Sequence, residues 1–198
     1  MSTRNKNLFT LAKKKQSTKE IAKAEAIKVL KKRTELKYHN TQQYFGTLDL
    51  NGYIMDLSDM AIGNTDSTRN GDRVCPVSLR VRSRASPTAD GFMTAGLGQY
   101  RIIVFRWNRS TTPAVGDVLQ NGPGTPYGII AQYQHDQRNE FNILYDHVVQ
   151  CTTDNYGYSS KYLRLAPKQI DYTAAGTQGS FKLYAIIIND KALAYSPV

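Results

Sequence analysis

The spacing of apolar side chains changes once along this chain, near Tyr44. Before that point the pattern is helical. No Gly or Pro interrupts Thr18 to Leu36, and Ala, Lys, Glu, Ile and Leu dominate there, residue types that mostly favour a helix. Ser17-Thr18-Lys19-Glu20 reads as a capping box, with Ser17 as N-cap and Glu20 at the third helical position. The pattern predicts a helix over about 18–35. Ala22, Ala26, Val29, Leu30 and Arg33 share one stripe of it, while Lys19, Lys23 and Lys31 face elsewhere. An Ala-rich stripe suits close packing against another copy of the helix.

After Tyr44 the period is that of strands. Phe45–Leu48 and Tyr53–Leu57 bracket Asn51-Gly52. In Arg73–Ser86 the second half alternates, with Leu79, Val81 and Ser83 on one side and Arg80, Arg82 and Arg84 on the other. Tyr100–Trp107 is a nearly continuous β-type run, and Phe141–Cys151, Tyr162–Tyr172, Phe181–Ile188 and Leu193–Tyr195 complete the set. In Tyr100–Trp107, Ile102 and Val104 share one face and Ile103 and Phe105 the other, which predicts a central strand covered on both sides. Turn-rich connections lie at Gly63–Gly71, Ser86–Gly98 and Gly122–Gly128, and Gly116–Gln120 reads as a short helical turn. Seven or eight strands without long intervening helices predict an all-β protein, a single antiparallel sandwich or barrel. Long loops between the strands favour jelly-roll wiring over a meander.

Charge divides the chain at the same place. Met1–Lys37 holds twelve Lys or Arg against three Glu, a net of +9; the other 161 residues hold fourteen basic and thirteen acidic side chains, a net of +1. This predicts a basic arm at 1–37 and a nearly neutral body at 38–198. Solubility alone does not require such segregation, so the arm calls for a polyanionic partner. The arm's apolar stripe is mostly Ala and holds no Trp, which speaks against a membrane surface and for nucleic acid. The candidate phosphate contacts are Arg4, Lys6, Lys13, Lys14, Lys15, Lys19, Lys23, Lys28, Lys31, Lys32 and Arg33. With no zinc-finger spacing, ribonucleoprotein signature or helix-turn-helix pattern, the arm is expected to bind phosphates without reading bases.

Little in the body points to catalysis. His147 follows Asp146, but neighbouring strand residues face opposite sides and make a poor acid–base pair. No His, Cys and Glu cluster has metal-ligand spacing. Gly122-Pro-Gly-Thr-Pro-Tyr-Gly128 is Gly-rich, but its prolines lack the donors a phosphate cradle needs. The N-terminus has no apolar segment of the kind that starts a signal peptide, and no run of eighteen apolar residues is present. Cys75 and Cys151 are expected to be free and buried. The sequence thus predicts a non-enzymatic binding or assembly protein. Arg80, Arg82 and Arg84 form a subunit interface or a second nucleic-acid contact, and the near balance of charge in the body favours the interface. The competing readings are a β-sandwich nucleic-acid-binding module with a basic tail and a jelly-roll carbohydrate-binding protein.

A family resemblance enters at three motifs. Asn70-Gly-Asp-Arg-Val-Cys-Pro-Val-Ser-Leu-Arg-Val-Arg82 resembles the "G-D-x-V … L-x-V-R" strand of small viral capsid proteins. Tyr100-Arg-Ile-Ile-Val-Phe-Arg-Trp-Asn108, with Thr112-Pro113 and Asp117-Val-Leu119, looks like their next strand and short turn. Glu140-Phe-Asn-Ile-Leu-Tyr-Asp-His-Val-Val149 resembles their "F-x-I-L-x-D" strand. The ordered set is similar to capsid proteins of circular single-stranded DNA viruses that encode a replication initiator, and to the coat protein of satellite tobacco necrosis virus. It covers Gly71–Cys151 well, the arm by charge and the last 45 residues by pattern only. The resemblance implies a single jelly roll, a T=1 icosahedral shell of 60 copies, and arms directed inward onto a single-stranded genome. DNA is favoured over RNA, although this arm is rich in Lys where the circular-DNA capsids often carry Arg. It further implies a virion protein, assembled in the nucleus or cytoplasm of a host cell. Calcium between subunits is implied by the satellite-virus type, with no ligands assignable here.

Overall fold

Among the described residues of the body, eleven strand segments and one turn of helix account for the regular structure. The computed structural model describes residues 19–23, 25–26, 36–44, 47–48, 50–85, 98–120, 127–152, 157–173, 178–189 and 193–194. The chain divides into two units, 1–36 and 37–198. In the first, residues 19–23 and 25–26 are helical and exposed. The Ser17 cap and the stripe residues Val29, Leu30 and Arg33 lie outside the described residues.

In the second unit, β2 (Tyr53–Asp56), β10 (Leu183–Asn189), β5 (Gly98–Trp107) and β6 (Phe141–Cys151) form one sheet in the order β2-β10-β5-β6. Against it lies a two-stranded ribbon of β4 (Ser78–Ala85) and β7 (Gly157–Arg164). β3 (Arg73–Val74), β8 (Ile170–Tyr172) and β9 (Gly179–Ser180) extend the ribbon, and β1 (Thr47–Leu48) pairs with β11 (Leu193–Ala194). Every pair of these strands is antiparallel. The architecture is all-β and jelly-roll-like, as the strand pattern predicts.

The strands are more broken than the sequence suggests. Ser78 pairs with Arg164, but Val74 pairs with Ile170, so four steps on one side match six on the other. Two extra residues on the second side break the expected strand Tyr162–Tyr172 into β7 and β8, and β7 itself starts earlier, at Gly157. The expected strand at Phe181 starts instead at Leu183, because Phe181 has a φ of 62°, outside the β region. Asn51-Gly52 does turn the chain, with Gly52 at φ 77° and its α-carbon side against Ile188, but the flanking strands pair elsewhere rather than with each other.

The core shows why β5 is apolar on both sides. Tyr100, Ile102 and Val104 pack with Val149, Cys151 and Ala185 of their own sheet and with Leu79, Val81, Ala85 and Leu163 of the ribbon. Ile103, Phe105 and Trp107 pack on the opposite face with Tyr184, Ile186 and Ile188, under a lid of Val118, Leu119 and Ala131. That lid is the connection holding the one-turn helix Val115–Val118, close to the predicted turn. A bulge between Val104 and Phe105 makes the strand register usable: it places Ile143 opposite Phe105 and Tyr145 opposite Val104. Phe141 and Ile143 can then join the lid side while Tyr145 and Val149 face the ribbon.

The lid is also tied electrostatically. Arg101 on β5 meets Asp146 on β6, Nη2 to Oδ2 2.6 Å, and donates to the carbonyls of Ile129 and Ala131 at 3.1 and 2.7 Å. Tyr133 donates its hydroxyl to the same carboxylate at 2.5 Å. Burial alone would raise the Asp146 carboxyl, but the hydrogen bonds from Arg101 and Tyr133 hold it below the usual range. His147, one residue on, packs beside Tyr145 on the other face, 5.8 Å between ring centres, so the two side chains part as the alternation predicts.

Of the two cysteines, only Cys151 is buried. Cys75 is exposed, contrary to expectation. It follows Val74, which packs inward against the cluster of Met60, Ile170 and Tyr172, and strand alternation turns its neighbour outward.

Candidate nucleic-acid interface

The arm and the ribbon are the two strongly cationic features. Of the arm's candidate contacts, Lys19 and Lys23 lie on described helical residues and are exposed. Arg4, Lys6, Lys13, Lys14, Lys15, Lys28, Lys31, Lys32 and Arg33 lie outside the described residues. Lys37 belongs with the body: its ammonium donates to the Thr65 carbonyl and to Asn70 Oδ1, each at 3.0 Å.

On the ribbon, the sequence alternation survives in full. Burial along β4 alternates, with Arg80, Arg82 and Arg84 exposed and Leu79, Val81 and Ser83 turned inward. The register sets Arg80 opposite Tyr162, Arg82 opposite Ser160, Arg84 opposite Tyr158 and Ser78 opposite Arg164. Cross-strand partners share a face, so eight side chains form one outward surface: four Arg, two Tyr and two Ser. Tyr158 and Tyr162 are 63% and 60% exposed, high values for rings of that size. Neither strand contains an Asp or Glu.

The inward face explains why the ribbon cannot slip by one residue and bury its arginines. Ser83 Oγ lies 3.0 Å from the Tyr100 hydroxyl, which donates to the Gly157 carbonyl at 3.2 Å. Ser159 Oγ lies 3.2 Å from the Tyr145 hydroxyl. Gly157 itself sits against Cys151 and Tyr100, where a β-carbon would collide with the Cys151 sulfur. These contacts, with Leu79, Val81 and Leu163, fix the face that points in. Burial pushes the Tyr100 hydroxyl up to about 12, so it stays a donor at neutral pH.

Sequence reasoning finds the three arginines but misses Tyr158, Tyr162 and Arg164 as their neighbours. The available signal is the alternation Tyr158, Ser160, Tyr162, Arg164, yet which strand it pairs with, and in what register, is not written in either segment alone.

The body's acids lie elsewhere. Among the described residues Asp56, Asp72, Glu140, Asp146 and Asp171 form ion pairs with Lys182, Arg69, Arg109, Arg101 and Arg73. The Lys182 and Arg69 side chains are 3% and 1% exposed and lie over the Tyr172 ring, so these pairs tie the ends of β2 and β10 and the loop before β3 to β8. Among the described residues, no three or more His, Cys, Asp or Glu side chains of one chain gather into a cation site. Two described histidines make exposed side-chain contacts: His39 Nε2 meets the Thr41 hydroxyl at 2.8 Å, and His135 Nε2 meets Arg138 at 3.5 Å.

Comparison with known proteins bears on the whole arrangement. No curated protein matches the chain. A family model, the satellite tobacco necrosis virus coat protein, matches residues 9–191, which takes in most of the arm and the body as far as β10. An all-β sandwich, a cationic arm and this match point the same way, to a coat protein of the virion. The chain belongs to the satellite tobacco necrosis virus coat protein family.

Proposed function

We propose that 60 copies of this chain close into a T=1 icosahedral shell and package single-stranded nucleic acid through the arm at 1–37. The observation that carries this reading is the charge segregation, +9 on the arm against +1 on the body. Sixty arms bring roughly 540 positive charges to the packaged strand, neutralise its phosphates and release its counterions. Binding of this kind gathers subunits on the genome without reading its sequence. The nearly neutral bodies then meet with little mutual repulsion, and closed symmetry multiplies modest contacts into a stable particle. The packaged strand is DNA rather than RNA, on the resemblance of the Gly71–Cys151 motifs to circular-DNA capsids.

The test is deletion of residues 1–36, which keeps Lys37 on Thr65 and Asn70. The truncated chain should keep the β-type circular dichroism of the body, and material purified from expressing cells should lose its absorbance at 260 nm. Normal amounts of co-purified nucleic acid would refute the role of the arm. Separate digestion of the extracted strand with deoxyribonuclease and ribonuclease tests the preference for DNA; resistance to deoxyribonuclease overturns it.

A further inference from the structure

We propose that the outward face of the β4–β7 ribbon is a platform for unpaired bases, with Tyr158 and Tyr162 as stacking rings and Arg80, Arg82, Arg84 and Arg164 as phosphate contacts. This rests on the packaging reading for the single-stranded nature of the partner. The subunit-contact alternative draws its support from the balance of charge in the body. The structure weakens that support, because five of the thirteen acids behind the balance are already paired within the chain, with Lys182, Arg69, Arg109, Arg101 and Arg73. Of the other described acids, Asp59 and Asp66 lie on the β2–β3 connection, Asp117 on the one-turn helix and Asp136 on the connection before β6, and none lies on the ribbon. Two copies of the ribbon face placed against each other would set Arg against Arg. The eight outward positions hold no aliphatic side chain that could form the dry centre of a protein interface.

The geometry suits a single strand. Successive arginines on β4 are two residues apart, about 7 Å, a spacing close to that of phosphates on an extended strand. Tyr158 and Tyr162 are four residues apart, about 13 Å, and the small Ser160 between them leaves both rings uncovered. Exposed rings interleaved with cations on a sheet bind any base by its π-face and its phosphates by charge, without sequence preference. A duplex offers phosphates but no free base faces. The platform should therefore distinguish single strands from duplexes, which the arm, reading charge alone, does not.

The experiment uses dissociated full-length subunits. A fluorescein-labelled oligothymidylate of about 16 nucleotides and the duplex it forms with oligoadenylate are titrated separately. The readout is the ratio of single-strand to duplex affinity, in which the arm's contribution largely cancels. The double variant Tyr158→Ala/Tyr162→Ala should lower this ratio about 25-fold, taking the low end of the stacking strength for each ring. Tyr158→Phe/Tyr162→Phe should restore it, since Phe keeps the ring. Arg80→Gln/Arg82→Gln/Arg164→Gln should reduce the slope of log affinity against log salt for the single strand by about 2. An unchanged ratio in the Ala variant overturns the proposal, and an unchanged ratio with loss of assembled particles assigns the face to a subunit contact instead. A fall that Phe does not restore overturns stacking as the cause. Failure of the packaging reading shows separately, as wild-type particles that form without nucleic acid or do not form at all.

Discussion

Phe105→Ala tests the central claim about how the sandwich is built. Phe105 is fully buried and lies on the face of β5 that meets the lid, not the ribbon. Its ring stacks on Tyr184 at 5.9 Å between centres and meets Phe141 edge-on at 6.4 Å. Removing a buried Phe ring costs about 3–5 kcal/mol, from lost transfer energy and the cavity left behind. The two ring contacts argue for the upper part of that range. One feature pulls the other way: Val118 and Leu119 sit on a short connection that can settle inward and shrink the cavity. About 4 kcal/mol is therefore the expected loss. For a folded unit the size of 37–198 this corresponds to a fall in melting temperature of roughly 8–16 °C. The assay is thermal and urea unfolding of dissociated subunits, repeated at tenfold different concentrations so that association does not enter the result. A melting temperature within a degree or two of wild type would show that the lid does not seal this face, and the two-sided packing of β5 would be wrong.

Two further outcomes follow from the inward face of the ribbon and from the buried tyrosines. Gly157→Ala places a β-carbon against the Cys151 sulfur and should cost about 1–3 kcal/mol in urea unfolding; adding Cys151→Ala should return part of the loss, and simple additivity of the two changes would refute the clash. Burial pushes the hydroxyls of Tyr100, Tyr133 and Tyr172 up to about 12 and that of Tyr184 higher still, against about 10 in the unfolded chain. Stability contributed by these protonated tyrosines is complete below pH 10 and is lost as the pH rises towards 12. Subunits should unfold cooperatively in that window, and Tyr100→Phe, although less stable at neutral pH, should lose stability less steeply with pH; an equal slope would mean that Tyr100 titrates in the folded chain as it does unfolded.

How much of this was legible beforehand depends on the range over which each feature is decided. The helical character of 19–23 and the strand character of 100–107 follow from composition and period, because propensity and face alternation are set by near neighbours. The two-sided burial of Tyr100–Trp107 is likewise local, since apolar side chains at both parities demand cover on both sides. Charge segregation needs no structure at all. Tertiary structure decided everything that depends on pairing. Two inserted residues broke Tyr162–Tyr172 into two strands because the register of β4 against β7 could not continue past Val77 and Leu165. Cys75 turned outward because Val74 was already committed to the core. The bulge at Val104 and Phe105 put Asp146 on the face of Arg101, turning a sequence neighbour of His147 into an anchor for the lid. The sequence by itself determined that Arg80, Arg82 and Arg84 share a face. That Tyr158, Tyr162 and Arg164, more than 70 residues away, complete that face was decided only by strand pairing, because hydrogen-bond register joins segments whose own side-chain patterns do not specify each other.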